Sequence, residues 1–211
     1  MSPKKPTAGI ILAAGMSERF QDGPKQLFRL KRGYMIEYVI RASLASKLNR
    51  IFLVLGHHHK KILKALAENS KYFKNDRLEL IINRQYHQGM SSSVHAGLAA
   101  GGNKFGSVMF LLGDQPMVDS ILIDLMLKQF YKSDKNICVP VYKEERGNPT
   151  IFSHKHFNLL QRVKGDLGGR DIILANPNDI LKIYTDSPAC VYNINTMDDL
   201  MASPKVSSTA L

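Results

Sequence analysis

A glycine-containing loop with two cations is the stretch of this sequence best suited to chemistry. It follows a short apolar run at residues 10–12, which predicts a buried strand that ends in a tight turn. The residues of interest in the loop are small, hydroxylated or cationic: Gly15, Ser17, Arg19 and Lys25. Small residues let main-chain N–H groups approach an anion, and arginine and lysine pair with phosphate oxygens. The loop therefore favours a polyphosphate-binding site, although an ordinary turn with solvated basic residues is the simpler alternative.

A carboxylate, Asp114, follows a second apolar run at residues 107–112. That run is apolar enough to be a central strand of a parallel sheet. A carboxylate just beyond such a strand could hold Mg²⁺ against triphosphate oxygens, because Mg²⁺ takes only one or two protein oxygens and completes its shell with phosphate and water. The structural alternative is an aspartate that caps the next turn or helix.

Strands and helices alternate along the chain. Apolar spacing predicts helices at residues 34–46, 60–69 and 121–131, strands at 51–55, 78–83, 107–112 and 137–142, and a loop that leads into a helix over 88–100. This alternation predicts βαβ units and therefore a Rossmann-like α/β fold, a three-layer sandwich with a mostly parallel central sheet. Because ligands bind beyond the carboxyl ends of such strands, the loops after Leu12, Leu112 and Tyr142 should gather at one edge.

Composition limits the class of protein. With 211 residues the chain should form one domain, which we place at residues 1–202, followed by a flexible tail at 203–211. The two cysteines have no metal-binding spacing, and we find no leader-like or membrane-spanning apolar run, so we expect a cytoplasmic protein. The net charge of +11 suits polyanionic substrates. Because the basic residues are dispersed and no recognition motif accompanies them, we expect neither a nucleic-acid nor a membrane partner.

Residues 12–25 resemble the LAAGxSxRxGxxK signature of nucleoside-triphosphate transferases with a GT-A-like fold. The departure is at residues 20–23, Phe-Gln-Asp-Gly, where the family usually has Met-Gly directly after the arginine. Further segments resemble family motifs in the family's order: QGMSSS at 88–93, LGDQP at 112–116, RGNPxxF at 146–152, GDLGGR at 165–170 and NINTxxD at 193–199. The chain is thereby similar to the MobA-like transferases, and especially to the molybdenum cofactor cytidylyltransferases and the related purine-catabolism accessory proteins.

The resemblance implies an activity and the residues that perform it. CMP would pass from CTP to the phosphate of molybdopterin with release of pyrophosphate, and CTP is implied over GTP because guanylyl members carry LAGG instead of LAAG. Arg19, Lys25 and Asp114 would be catalytic. Mg²⁺ would be held by Asp114 and by Asn195, which we expect on a carboxyl-terminal strand over residues 191–196. The implied nucleotide-binding residues are Leu12, Ala13, Ala14, Gly15, Ser17, Lys25, Gly89, Ser92 and Ser93. The implied acceptor-binding residues are Arg146, Asn148 and Arg170.

Other interpretations stay open on sequence grounds. The same fold could use GTP, or a sugar phosphate or alcohol phosphate as acceptor. A non-catalytic factor could instead bind the cofactor for the maturation of xanthine-dehydrogenase-type enzymes, with a molybdoenzyme or its maturation chaperone as partner. A pyridine-nucleotide oxidoreductase is disfavoured because GxGxxG is absent. The run His57-His58-His59 could suggest a metal site, but adjacent side chains point in different directions, so a loop is expected.

Overall fold

The computed structural model describes residues 6–16, 23–68, 72, 74–101, 104–194 and 199. Its strands are β1 (Thr7–Ala13), β2 (Arg29–Leu30), β3 (Gly33–Tyr34), β4 (Arg50–Leu55), β5 (Leu78–Ile82), β6 (Ser107–Leu112), β7 (Ile137–Tyr142), β8 (Glu145–Arg146), β9 (Thr150–Ser153) and β10 (Ile180–Tyr184). Its helices are α1 (Met35–Ala45), α2 (His59–Glu68), α3 (Met90–Gly101), α4 (Ser120–Lys132), α5 (Phe157–Leu160) and α6 (Arg170–Ala175). None of the helices among these residues has the length and apolar character needed to cross a membrane.

The strands form a central sheet in the order β10-β7-β9-β6-β1-β4-β5, with β8 paired to β7. The pairs β1–β4, β1–β6, β4–β5 and β7–β10 are parallel, whereas β9 runs antiparallel to both β6 and β7. A separate short hairpin joins β2 to β3. The prediction of a Rossmann-like α/β fold with a mostly parallel sheet is confirmed.

The core has two halves, one on each face of the sheet. Alternate residues of β1 divide between them. Ile11 packs in a cluster with buried residues of α1, α2 and α4, and Ile10 packs in a cluster with buried residues of α3, α5 and α6. A strand that is covered on both faces needs a continuous apolar run, which is why residues 10–12 indicated a buried strand.

Helix α3 lies close against the sheet because two of its residues are glycines. A Cβ added at Gly97 would overlap Ile10 Cγ2, and one added at Gly101 would overlap the Phe52 ring. The missing side chains let the helix backbone approach β1 and β4. Since α3 follows β5, its first turn lies at the carboxyl edge of the parallel strands, where ligands bind in folds of this class.

Strands β9 and β10 were not predicted. β9 has only four residues and follows Pro149, so no apolar alternation could develop. β10 is at the edge of the sheet, and four of its five residues are partly buried or exposed, which weakens its hydrophobic pattern. The predicted strands at residues 107–112 and 137–142 occur with those bounds.

The predicted carboxyl-terminal strand is wrong for residues 191–194. The backbone N–H groups of Val191 and Tyr192 both donate to Pro188 O, at 3.0 and 3.1 Å, which makes a turn. Ile194 N then donates to Asp114 O at 3.0 Å. The segment therefore lies against the loop after β6 instead of extending the sheet.

Asp179 joins three segments at the amino edge of the parallel strands, opposite the expected site. Its carboxylate accepts hydrogen bonds from Asn136 N (3.0 Å), Asn136 Nδ2 (2.9 Å) and His156 Nε2 (3.0 Å). Asn136 precedes β7, His156 follows β9 and Asp179 precedes β10. Desolvation is the largest single influence and raises the pKa of Asp179, but the hydrogen bonds from His156 and Asn136 together outweigh it and leave that pKa below its ordinary value.

Asp179→Asn should destabilise the protein at neutral pH. A carboxyl group whose pKa is lowered by folding contributes stability above its unfolded pKa of about 4, and that contribution is lost as the pH falls through the lower folded value. Urea unfolding should therefore show a gap between wild type and variant at pH 7 that narrows at pH 3. Asp134→Asn, at an exposed position nearby, is the matched control, and a gap independent of pH would contradict the assignment.

Candidate active site

A cavity of about 630 Å³ opens at the carboxyl edge of the parallel strands. It lies among the loops that follow β1, β5 and β6. Its lining includes these residues predicted to bind nucleotide or to catalyse: Leu12, Ala13, Ala14, Gly15, Lys25, Gly89, Ser93 and Asp114. Ser17, Arg19 and Asn195, which were predicted with them, lie outside the described residues.

An ion pair between Lys25 and Asp114 is the polar centre of this cavity. Lys25 Nζ lies 2.5 Å from Asp114 Oδ2, and the two side chains are 18% and 17% exposed. Lys25 begins a short 3₁₀ helix (Lys25–Leu27), which is tied to β1 by the buried Gln26, whose Nε2 donates to Ala13 O at 3.3 Å. Because both charges are largely removed from water, salt screens their attraction only weakly, and each side chain holds the other in place.

Asn83 organises the first turn of α3. Its Nδ2 donates to Ser92 Oγ at 2.8 Å and to Ser93 Oγ at 3.0 Å, and Ser92 Oγ in turn donates to Gly89 O at 2.8 Å. Ser92 is therefore engaged inside the protein, behind the cavity wall, whereas Ser93 lines the cavity. Of the two serines that the resemblance implied, the structure brings Ser93 to the cavity.

A loop at residues 165–166 closes over the start of α3. Gly165 O accepts a hydrogen bond from Ser91 N at 2.9 Å, and Asp166 Oδ1 accepts one from Met90 N at 3.0 Å. A carboxylate at this position is favoured by the unpaired N–H groups and the positive end of the helix dipole. Sequence reasoning did not identify Asp166 as a site residue, and the only signal was its place in the GDLGGR segment.

A second cavity, of about 220 Å³, adjoins the first. The two have four lining residues in common: Leu12, Met90, Leu112 and Asp166. The three predicted acceptor-binding residues, Arg146, Asn148 and Arg170, all line the second cavity. Molecules bound in the two cavities would therefore lie next to each other, beside these shared residues.

Arg146 and Arg170 are neighbouring cations at the second cavity. Burial lowers the pKa of Arg146, and the charge of Arg170 lowers it further. Arg146 is carried by β8, which pairs with β7 after a tight turn in which Lys143 and Glu144 have φ values of 44° and 64°. An anion that binds between the two guanidinium groups reduces the repulsion between them. The second cavity thus suits a molecule that bears a phosphate.

Metal binding at the first cavity would depend on few protein oxygens. Within the described residues, no three His, Cys, Asp or Glu side chains cluster as a metal site requires. Asp114 does place a carboxylate in the cavity, and this fits Mg²⁺ or Mn²⁺ that arrives with a triphosphate, since phosphate and water oxygens complete the shell. His57 and His58 lie in a turn, as expected, and His59 begins α2 with its Nδ1 2.8 Å from Gly56 O.

Lys25→Ala should increase the affinity of the protein for Mn²⁺ several-fold in the absence of nucleotide. The lysine ammonium competes with the metal for the Asp114 carboxylate, and its removal leaves that charge to the metal. Electron paramagnetic resonance of free Mn²⁺ measures the effect, with Asp114→Asn expected to weaken binding and Lys60→Ala, at an exposed position of α2, as the control. Equal Mn²⁺ affinity in wild type and Lys25→Ala would contradict the competition.

The chain has relatives of known name along most of its length. Residues 9–180 match the model of the MobA-like NTP transferase domain. A probable molybdenum cofactor guanylyltransferase from Thermococcus sibiricus is 24% identical over 200 residues, which cover 91% of this chain and 94% of that protein. The molybdenum cofactor guanylyltransferase of Vibrio parahaemolyticus is 27% identical over 198 residues, with 92% and 93% covered.

A solved structure shows the same fold. Rv0371C of Mycobacterium tuberculosis, in complex with manganese, superposes with a TM-score of 0.74 at 20% identity, over 93% of this chain and 96% of that one. The family model covers far more than half of the chain, and apart from Asn193 all lining residues of the two cavities lie within the matched residues. This protein therefore belongs to the MobA-like NTP transferase family and is a nucleotidyltransferase.

Proposed function

We propose that this nucleotidyltransferase transfers CMP from CTP to the phosphate of molybdopterin, with release of pyrophosphate. The observation that supports the proposal best is the adjacency of two cavities with different chemistry. The first combines the main chain after β1 with the Lys25–Asp114 ion pair, which suits a base and a triphosphate. The second presents Arg146 and Arg170, which suit the phosphate of an acceptor.

The reaction is a displacement at the α-phosphorus of CTP. An oxygen of the acceptor phosphate forms a bond to that phosphorus, the bond to the bridging oxygen of the β-phosphate breaks, and pyrophosphate leaves with the electron pair. No covalent enzyme intermediate is needed, so catalysis consists of positioning and charge neutralisation. Asp114 and Asn195 would hold Mg²⁺, which would supply charge neutralisation at the triphosphate.

The cations of the protein divide this work. Lys25 and Arg19 bind the triphosphate and stabilise the negative charge that grows on the departing pyrophosphate. Arg146 and Arg170 hold the acceptor phosphate and offset the repulsion between two anions that must approach each other. Asn148 lines the same cavity and contributes to the selection of the acceptor.

CTP is proposed over GTP because of Ala14, and GTP is the second candidate because the curated relatives are named guanylyltransferases. Ala14 lines the first cavity and is 5% exposed. A Cβ added at Gly56 would lie 2.5 Å from Ala14 O, 2.8 Å from Ala14 Cβ and 2.7 Å from Tyr86 Cβ. Ala14 thus lies close against Gly56, which limits how far it can move back to admit a larger purine.

We also propose that the protein is located in the cytoplasm. Its product would pass to a molybdoenzyme or to the maturation chaperone of that enzyme. Both cysteines, Cys138 and Cys190, are buried free thiols, which suits a reducing compartment.

The nucleotide preference can be tested by thermal unfolding with Mg²⁺ and CTP, GTP, ATP or UTP. A ligand that binds only the folded state stabilises it by mass action, by about 4 kcal/mol at a thousand times its Kd, so CTP should raise the Tm most. Ala14→Gly should reduce the difference between CTP and GTP, because it removes the methyl group that restricts the cavity. Ala99→Gly, at an exposed position of α3 outside both cavities, is the control, and a larger shift with GTP in wild type would reject the CTP assignment.

Turnover tests the proposed acceptor and the cations. Pyrophosphate release from CTP should occur with molybdopterin and not with sugar or alcohol phosphates. Lys25→Ala should lower kcat at least 100-fold without unfolding the protein, because it removes a cation that stabilises the departing pyrophosphate. Arg170→Ala should raise the KM for the acceptor about tenfold, whereas Arg162→Ala, at an exposed position outside both cavities, should leave it unchanged. Binding of CTP and molybdopterin without pyrophosphate release would instead identify a non-catalytic maturation factor.

A further inference from the structure

A buried glutamine lies directly behind the carboxylate of the first cavity. Gln115 is 2% exposed and follows Asp114 in the loop after β6. Its Nε2 donates to Cys190 O at 3.1 Å and to Asn193 Oδ1 at 2.5 Å. Asn193 lines the cavity, whereas Gln115 contacts it only through Asn193. The glutamine thus connects the segment 190–194 to the loop that carries Asp114.

Hydrogen-bond chemistry fixes which end of each amide is which. Cys190 O is a backbone carbonyl and can only accept, so the Gln115 atom that faces it must be the NH₂ group. The same NH₂ group faces Asn193, so the Asn193 atom that meets it must be the oxygen. The oxygen of Asn193 is therefore turned towards Gln115, and the NH₂ group is the end of the amide left to face the cavity.

The energetic cost of this arrangement indicates that it serves the site. Among the described residues, no hydrogen-bond donor meets the buried Gln115 Oε1. An unsatisfied buried acceptor is unfavourable, and an apolar residue of the same size would avoid it. The Nε2 group of Gln115 makes both of its hydrogen bonds, whereas Oε1 makes none to any residue that the structure describes. This is the arrangement needed to orient Cys190 O and Asn193 Oδ1.

We infer that Asn193 donates an N–H group to a phosphate oxygen of the nucleotide and does not ligate the metal, and that Gln115 is the positioning residue that sets this orientation. The inference depends on the proposed function only in that a nucleoside triphosphate binds in the first cavity. Mg²⁺ coordinates oxygen and not an N–H group, so an asparagine held this way adds to the anion-binding groups beside Lys25. The carboxylate of Asp114 then carries the metal without help from Asn193.

Asn193→Asp separates a donor from a metal ligand, because the two roles predict opposite signs. An aspartate at this position still accepts from Gln115 Nε2 and has nearly the same size. If residue 193 donates to phosphate, the new carboxylate repels the triphosphate, and the Kd for CTP in the presence of Mg²⁺ should rise at least tenfold. If residue 193 ligates the metal, the carboxylate is a stronger ligand than the amide, and equal or tighter binding of Mg²⁺ and CTP would overturn the inference.

The measurement is calorimetric titration of CTP into the full chain with Mg²⁺, with Asn158→Asp as the control for added negative charge at an exposed position of α5. Binding is measured without an acceptor, so its result does not depend on catalysis. If wild type binds no nucleoside triphosphate, the proposed function fails as well. If wild type binds CTP and Asn193→Asp binds it as well or better, only this inference fails.

A double-mutant cycle tests Gln115 as the positioning residue. Gln115→Met is similar in size but cannot donate, so Asn193 is no longer held, and the Kd for CTP should rise three- to tenfold. In the double variant with Asn193→Asp, loss of the orienting bond no longer matters, so Gln115→Met should raise the Kd less than twofold further. Full additivity of the two effects would show that Gln115 acts only on general folding and would overturn its assigned role.

Discussion

The parallel pairing of β1 with β6 is the constraint on which the site depends. Leu12 lies opposite Leu112 in the register, so both strands end at the same level of the sheet. The first residue beyond β6 continues the contact, since Gly113 N donates to Leu12 O at 2.9 Å. The main chain at the end of β1 and the carboxylate of Asp114 are therefore adjacent because of backbone hydrogen bonds, and Lys25, at the start of its 3₁₀ helix, pairs with that carboxylate.

The two edges of the sheet have different tasks. At the amino edge, Asp179 accepts hydrogen bonds from Asn136 and His156, and these bonds hold β7, β9 and β10 together. At the carboxyl edge, Lys25 and Asp114 form an ion pair in the first cavity, and the like charges of Arg146 and Arg170 lie close together at the second. Like charges held close together are unfavourable where ligands bind, and the hydrogen bonds of Asp179 at the opposite edge help to offset that cost.

Most of the fold and part of the site could be predicted from the sequence. Leu12, Lys25 and Asp114 were accessible because strand ends and motif residues are local features, and the parallel sheet rule brings those ends together. Gln26, Asn83 and Gln115 were not, because their roles depend on side-chain hydrogen bonds to residues that only the folded chain brings near. Ser92 is the converse case: its motif implied contact with the nucleotide, but its hydroxyl hydrogen-bonds to Asn83 and Gly89 inside the protein.

The insertion of β9 between β6 and β7 has a consequence for how such proteins diversify. It moves β7 two strand spacings, roughly 10 Å, away from β6, and the second cavity is lined by residues of β8 and β9 that the first cavity lacks. Changes in the loop between β8 and β9 can therefore alter the second cavity while the residues around the first cavity stay the same. A single fold can thereby retain nucleotidyl transfer while its acceptor specificity changes.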